Sequence, residues 1–177
     1  PYRDVFSTVY SDDEEGGHFA ALAMKDRGRK DIVAVLGPQD NPAVVDRLRG
    51  YRAVLGEDLP DANVIYTGWN SGDGYQAMHQ ILAREITFDG VLCGSDRIAA
   101  GVITALNEAG LSVPADVSVV GFDDHEIAAR CVPALTTVRQ PLREEGHMAA
   151  NIALDMIKGA EPTTSVMHMQ LIQRDSL

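Results

Sequence analysis

The sequence predicts an α/β fold on mostly parallel sheets, and three observations carry the prediction. Short apolar runs without polar alternation recur along the chain, as in strands covered on both faces. Helix-length stretches with capping residues at their ends separate them. Strand and helix alternate at the spacing of βαβ units, which cross over right-handedly. In such sheets a ligand sits beyond the carboxyl ends of the strands.

The elements follow in order. Ser11, Asp12, Asp13, Glu14 and Glu15 read as a helix start, a capping side chain and then acids where the helix dipole favours them. That helix runs to Lys25 and Arg27 and stops at Gly28. Ile32-Val33-Ala34-Val35-Leu36 is a strand buried on both faces. Asn41 and Pro42 open a second helix as cap and first residue, with Val44, Leu48, Tyr51 and Leu55 on its apolar face and Gly56 at its end. Asn63 to Thr67 is the next strand, and a helix from about Ser71 turns Tyr75, Met78 and Leu82 inward. Gly90 to Cys93 is again a buried strand. The helix from Ser95 buries Ile98, Val102, Leu106 and Ala109, and Gly110 caps it. Val117 to Phe122 is a strand and Thr136 to Val138 is extended. A helix from about Leu142 to Lys158 carries Ala149, Ile152, Ala153 and Met156 on one face, and Val166 to Gln173 is expected as one final strand.

Composition narrows the function. Fifteen basic against 26 acidic side chains give a net charge of −11, which repels a phosphate backbone, so this segment by itself is not expected to bind DNA. No apolar run approaches the ~20 residues of a membrane helix, and no signal peptide opens the chain. The first residue is Pro1 rather than Met, as in a processed chain or a piece of a longer one. Two isolated cysteines, Cys93 and Cys131, make neither a disulfide framework nor a zinc site and fit a reducing cytoplasm. The five histidines lack metal-ligand spacing, so neither a metal nor a cofactor is expected. Gly72-Asp73-Gly74 is not a dinucleotide fingerprint, and the sequence shows no phosphate loop, nucleophile elbow or paired acid and base. An enzyme is therefore not expected.

One region is more specific than a generic α/β pattern. Ser95-Asp96 precedes Ala99-Ala100-Gly101. Gly110-Leu111-Ser112-Val113-Pro114-Ala115-Asp116-Val117-Ser118-Val119-Val120-Gly121-Phe122-Asp123-Asp124 follows, and then Pro133-Ala134-Leu135-Thr136-Thr137-Val138-Arg139-Gln140-Pro141. In content, order and spacing this resembles the effector-domain signature of the LacI/GalR family of transcriptional regulators. Asp12, Asp13 and Gly16-Gly17, the run from Ile32 to Gly37, Arg47 with Gly50-Tyr51, and Leu171, Arg174 and Ser176 extend the resemblance over nearly the whole chain.

The resemblance implies two Rossmann-like lobes of the periplasmic-binding-protein-like type, one nearly complete and one truncated. The C-terminal subdomain would comprise 29–140 plus 166–177, and a partial N-terminal subdomain 1–28 plus 141–165. The family's helix-turn-helix headpiece and hinge helix would lie outside the chain, so operator DNA would be a partner only through that absent headpiece. With one cleft wall incomplete, weak or no effector binding is expected, and residues 1–28 and 142–158 are expected to be the least secure. A homodimer through the C-terminal subdomain is implied, with helices 72–83 and 96–109 near Cys131.

A sugar site needs planar hydrogen-bonding groups and an aromatic face. By the resemblance, the ligand-binding candidates are Arg47, Trp69, Ser95, Asp123, Gln140 and Glu15. Arg47 offers a rigid fork of donors. Asp123 ends an apolar strand and would accept from hydroxyls, with Asp124 as the loop cap beside it. Trp69, the only tryptophan, follows a strand. Ser95 stands where many relatives have asparagine and equally suits a helix cap. Gln140 lies at the crossover between lobes. Glu15, like Asp13, is either a cleft residue or a plain helix-start acid. The expected function is that of a small-molecule sensor, a sugar being the family's usual effector. The effector would set the interlobe angle and thereby the operator affinity of a cytoplasmic dimer. The alternative is a periplasmic-type sugar-binding protein of a transport system.

Overall fold

The computed structural model describes residues 6–84 and 86–177. Strand β1 (Thr8–Ser11) enters helix α1 (Asp13–Asp26) through Asp12, whose carboxylate accepts from the Glu15 amide. Strand β2 (Ile32–Leu36) and helix α2 (Pro42–Leu55) follow, the helix capped by Asn41 and ended at Gly56. Then come β3 (Val64–Tyr66), α3 (Ser71–Leu82), β4 (Gly90–Cys93), α4 (Asp96–Glu108), β5 (Ser118–Asp123) and β6 (Thr136–Arg139). Helix α5 (Leu142–Ile157), β7 (Thr164–Met167) and β8 (Gln170–Ile172) complete the chain. Asn70 and Asp73 close a reciprocal capping box on α3, so the amides of both residues have a partner.

Six strands form one sheet in the order β3-β2-β4-β5-β6-β8, parallel throughout except for the antiparallel pair β6 and β8. Alternation along each strand sorts side chains to two faces. Ile32, Ala34 and Leu36 of β2 pack with α1 and α2 in one apolar layer that also holds Leu92, Val120 and Phe122. Val33 and Val35 face the other way, with α3 and α4, into a layer with Val91, Val119 and Leu135. The sheet is thus covered on both faces, as its unbroken apolar runs require. From β2 the chain steps outward to β3 and then returns past β2 to β4. That reversal is the point where an open parallel sheet leaves a crevice at its carboxyl ends.

A smaller sheet pairs β1 and β7 in parallel, from Thr8 opposite Thr164 to Ser11 opposite Met167. Helix α5 lies against β1 with none of its residues buried.

Four expectations change. Helix α1 was expected with the smaller lobe. Instead Ala20, Ala21 and Met24 are fully buried with α2 and β2, because the small residues of α1 permit very close packing on α2. The expected strand from Val166 to Gln173 is two strands in two sheets, broken at His168 and Met169 where Glu15 accepts from the Met169 amide. Ala109 is exposed, being the C-cap of α4 beyond its last packed turn. The anticipated inner face of α5 is uncovered: Ala149, Ala153 and Met156 are exposed and Ile152 half-buried. Of the expected smaller lobe, residues 1–5 lie outside the described residues.

Candidate functional site

The carboxyl ends of β2 and β4 stand side by side at the strand reversal, where the Gly94 amide donates to the Val35 carbonyl and a Cβ on Gly94 would come 3.1 Å from the Gly37 nitrogen. Arg47 reaches this point from the middle of α2. It is 4% exposed, and its Nε and Nη1 are both engaged. Its Nε donates to Asp13 Oδ1 at 2.8 Å, its Nη1 donates to the carbonyl of Gly94, and the same Nη1 lies 3.7 Å from Asp123 Oδ1. The guanidinium carbon sits 3.7 Å over the centre of the buried Phe122 ring, where the ring's negative face favours a cation.

Both carboxylates around Arg47 are held above the ordinary aspartate range. Burial is the larger cause for each, and the arginine charge opposes it without cancelling it. One buried cation faces two acids. The cluster therefore has no uncompensated positive charge to attract an anion, and it retains acceptor lone pairs.

Asp123 ends β5 with φ +108° and Asp124 follows at φ +54°, a conformation L-residues rarely adopt. The surroundings hold this turn tightly. Gln140 Nε2 donates to Asp123 Oδ1 at 2.5 Å. Asp124 accepts from Arg139 at 2.7 Å and from Arg174 at 2.6 Å. Burial would raise the Asp124 carboxyl, but those two arginines outweigh it and lower its pKa.

An open cleft of about 420 Å³ adjoins this turn. Asp123, Arg139 and Gln140 line it from the large sheet, Arg143 and Glu144 from the first turn of α5, and His168 from the connection between β7 of the small sheet and β8 of the large one. That connection is one of three crossings between the sheets, beside those at Asp12 and Gln140. Side chains also tie the crossings to each other. Ser11 Oγ donates to Glu145 Oε1 at 3.0 Å, and Glu15 accepts from the Met169 amide at 2.9 Å and contacts His168 Nδ1 at 3.0 Å.

The structure brings Arg47, Asp123 and Gln140 into one network. Trp69 lies at the end of neighbouring β3, its indole packed over Gly37, and is 37% exposed. A Cβ on Gly37 would fall 2.4 Å from that ring, so only glycine admits the contact. Ser95 is 4% exposed, and its Oγ accepts from the Ile98 amide as the cap of α4. Glu15 is engaged at the His168–Met169 crossing rather than with Arg47. Its neighbour Asp13, read in the sequence as its equal, holds the arginine. The sequence reading overlooked Asp96 as a separate feature. Its signal was an acid placed between an all-apolar strand and an all-apolar helix face. Among the described residues no group of histidine, cysteine, aspartate or glutamate side chains could hold a metal, and no helix is long and apolar enough to cross a membrane.

A doubly covered parallel sheet, a polar network at its strand reversal and a cleft reaching a second sheet define a domain of the periplasmic-binding-protein type. The profile of the periplasmic binding protein-like domain family matches residues 21–177, and the chain belongs to that family. More particularly, it is 36% identical over 179 residues to the HTH-type transcriptional repressor PurR of Escherichia fergusonii, covering 98% of this chain and 52% of that protein. Among solved structures it is similar to the transcriptional regulator CelR in complex with cellobiose, with TM-score 0.93 and 34% identity over 99% of this chain and 55% of that one. It is also similar to a LacI family transcriptional regulator from Enterococcus faecalis with bound ribose, with TM-score 0.89 and 30% identity over 96% of this chain and 62% of that one. These relatives are transcriptional regulators rather than enzymes or transport proteins, in keeping with the expected LacI-type effector-domain resemblance. The chain spans about half the length of the curated relatives it matches.

Proposed function

We propose that this chain is the effector-sensing part of a LacI-type transcriptional regulator whose full-length interlobe cleft binds a neutral sugar, with weak or no binding by this chain alone. The observation that carries the reading is the Arg47–Asp123–Gln140 network, placed at the strand reversal and open to a cleft that reaches α5. Donors and acceptors there alternate within reach of one another, as vicinal hydroxyls require, and the charge is already compensated. Trp69, which packs over Gly37 beyond the end of β2, would offer an aromatic face for the apolar side of a ring. Ser95 and Glu15 serve the scaffold instead, the first as a helix cap and the second as a tie at a crossing.

The lobes divide at Asp12, Gln140 and His168, with α1 on the larger side. A ligand that bridges them favours one interlobe angle. In a longer, dimeric regulator that preference would change operator affinity by a coupling of about 1–3 kcal/mol. Dimerisation through α3 and α4, action on operator DNA through a separate headpiece and residence in the cytoplasm belong to the same proposal.

A thermal-shift screen of pentoses, hexoses and disaccharides tests it, run on this chain and on a version extended at its amino end. A ligand at a hundredfold excess over Kd stabilises by about 2.7 kcal/mol, a readily measured rise in Tm. The expected result is a hit lost in Arg47→Ala and Asp123→Ala. Hits that survive both substitutions would refute the site.

A further inference from the structure

Asp96 has no role in the network just described, yet it is a carboxyl with 0% exposure directly beneath it. It opens α4, and its two oxygens reach two different segments. Oδ1 accepts from the Thr137 hydroxyl of β6 at 2.5 Å, and Oδ2 accepts from the His125 amide at 2.7 Å. The Thr137 oxygen in turn lies 3.4 Å from the Asp124 amide, which donates to it. The left-handed pair Asp123–Asp124 is thus suspended between Asp96 on one side and the Thr137 hydroxyl on the other. Gly121 leaves the room for this: a Cβ there would meet Asp96 Oδ1 at 2.3 Å.

We propose that Asp96 is the positioning residue of the Asp123 carboxylate, and that gaining or losing its proton resets the turn that aims Asp123 into the cleft. The proposal rests on the effector-sensing reading of that cleft. The mechanism lies in the hydroxyl between the two groups. A threonine hydroxyl has one proton to donate and two lone pairs. With Asp96 ionised, Thr137 donates to it and keeps its lone pairs for the Asp124 amide. With Asp96 protonated, the Asp96 O–H donates to the Thr137 oxygen instead, so that bond reverses. One lone pair is then held by Asp96, and the Thr137 proton turns to another acceptor, which reorients the hydroxyl that takes the Asp124 amide; the pull of Asp96 on the His125 amide also weakens.

Burial pushes the Asp96 carboxyl up to about 7, with the Thr137 and His125 hydrogen bonds opposing and the charges of Asp123 and Asp124 adding to it. The other titratable groups facing it are Cys93 from β4 and the half-buried Cys131, while the His125 imidazole acts on Asp123. Arg139 and Arg174 are turned to Asp124.

The test is an NMR titration of the isotopically labelled chain between about pH 5 and about pH 9, read at side-chain carboxyl carbons and backbone amides. Asp96→Asn assigns the Asp96 carboxyl, and His125→Asn removes the imidazole as a competing source of shifts. The Asp124 amide and the Asp123 carboxyl are expected to move with the Asp96 midpoint, and that component is expected to vanish in Asp96→Asn. Thr137→Ser keeps the hydroxyl and is expected to retain the coupling, whereas Thr137→Val is expected to break it. The proposal is overturned if Asp123 and Asp124 show the same titration with and without Asp96, or if Thr137→Val leaves the coupling intact. No effector enters this titration, so failure to find a sugar ligand would count against the sensing reading and leave this result standing.

Discussion

Arg47 shows what one side chain can organise. It is almost fully buried, it touches both acids of the site, and its guanidinium carbon sits over the Phe122 ring. Replacing it by methionine keeps the bulk and leaves Asp13 and Asp123 without their cation. Breaking one side of a buried pair costs about 3 kcal/mol, and urea unfolding is expected to show a loss of that order. The same change should be worse in alkali. Without the guanidinium both carboxyls rise further above their unfolded values, and a raised carboxyl withdraws stability as pH rises through its folded pKa. The loss measured at about pH 8 should therefore exceed that at about pH 5. Arg47 and Asp123 were legible in the sequence because each sits in a spaced motif. Asp13 and Glu15 could not be told apart there. Two residues apart on a helix, they point in different directions, one toward Arg47 and the other toward Met169. Which direction held the arginine depended on where α2 packs.

At the scale of elements, the α1–α2 crossing sets the site. A Cβ on Gly50 would come 2.1 Å from the Glu14 carbonyl, and one on Gly17 would come 2.3 Å from the Arg47 carbonyl. Both obstacles are backbone, so the helices themselves must part. Gly50→Ala is expected to destabilise by about 1–3 kcal/mol in urea unfolding, and to weaken any sugar-induced thermal shift because Arg47 and Asp13 straddle the crossing. Helix α5 is the opposite case. With no buried residue, its amides and those of β1 and β7 are expected to exchange with deuterium well before those of β2, β4 and β5. Equal protection of both sets would contradict this picture. The central strands and their capped helices were legible because caps and unbroken apolar runs are local signals. The split of 166–173 was not. Both halves carry the apolar pattern of a strand, and the break depends on Glu15, some 150 residues earlier in the chain.

For the molecule as a whole, three carboxyls (Asp13, Asp96 and Asp123) lie above their ordinary values, while Asp124 lies below. The first three supply stability that is complete in acid and fades as pH rises through their folded pKa values. Asp124 works the other way, its contribution lost as pH falls through its depressed value. Between about pH 5.5 and pH 8 the balance is set chiefly by Asp96, whose carboxyl titrates near 7. Unfolding free energy should fall by about 2 kcal/mol across that window, and Asp96→Asn should flatten the slope. A slope unchanged in the variant would place the titration elsewhere. The ionised form that holds the Asp123 turn is thus the one that weakens the fold, a trade between a prepared site and overall stability.

The pairing of Thr8 with Thr164 also bears on how the chain is made. A ribosome adds about 5–20 residues each second, so β1 emerges and waits roughly 8–30 s for the strand it will join. Throughout that interval β2 to β6 can already assemble behind it. Until β7 emerges, β1 lacks the strand it pairs with here, and that edge is open to a nascent neighbour on the same message.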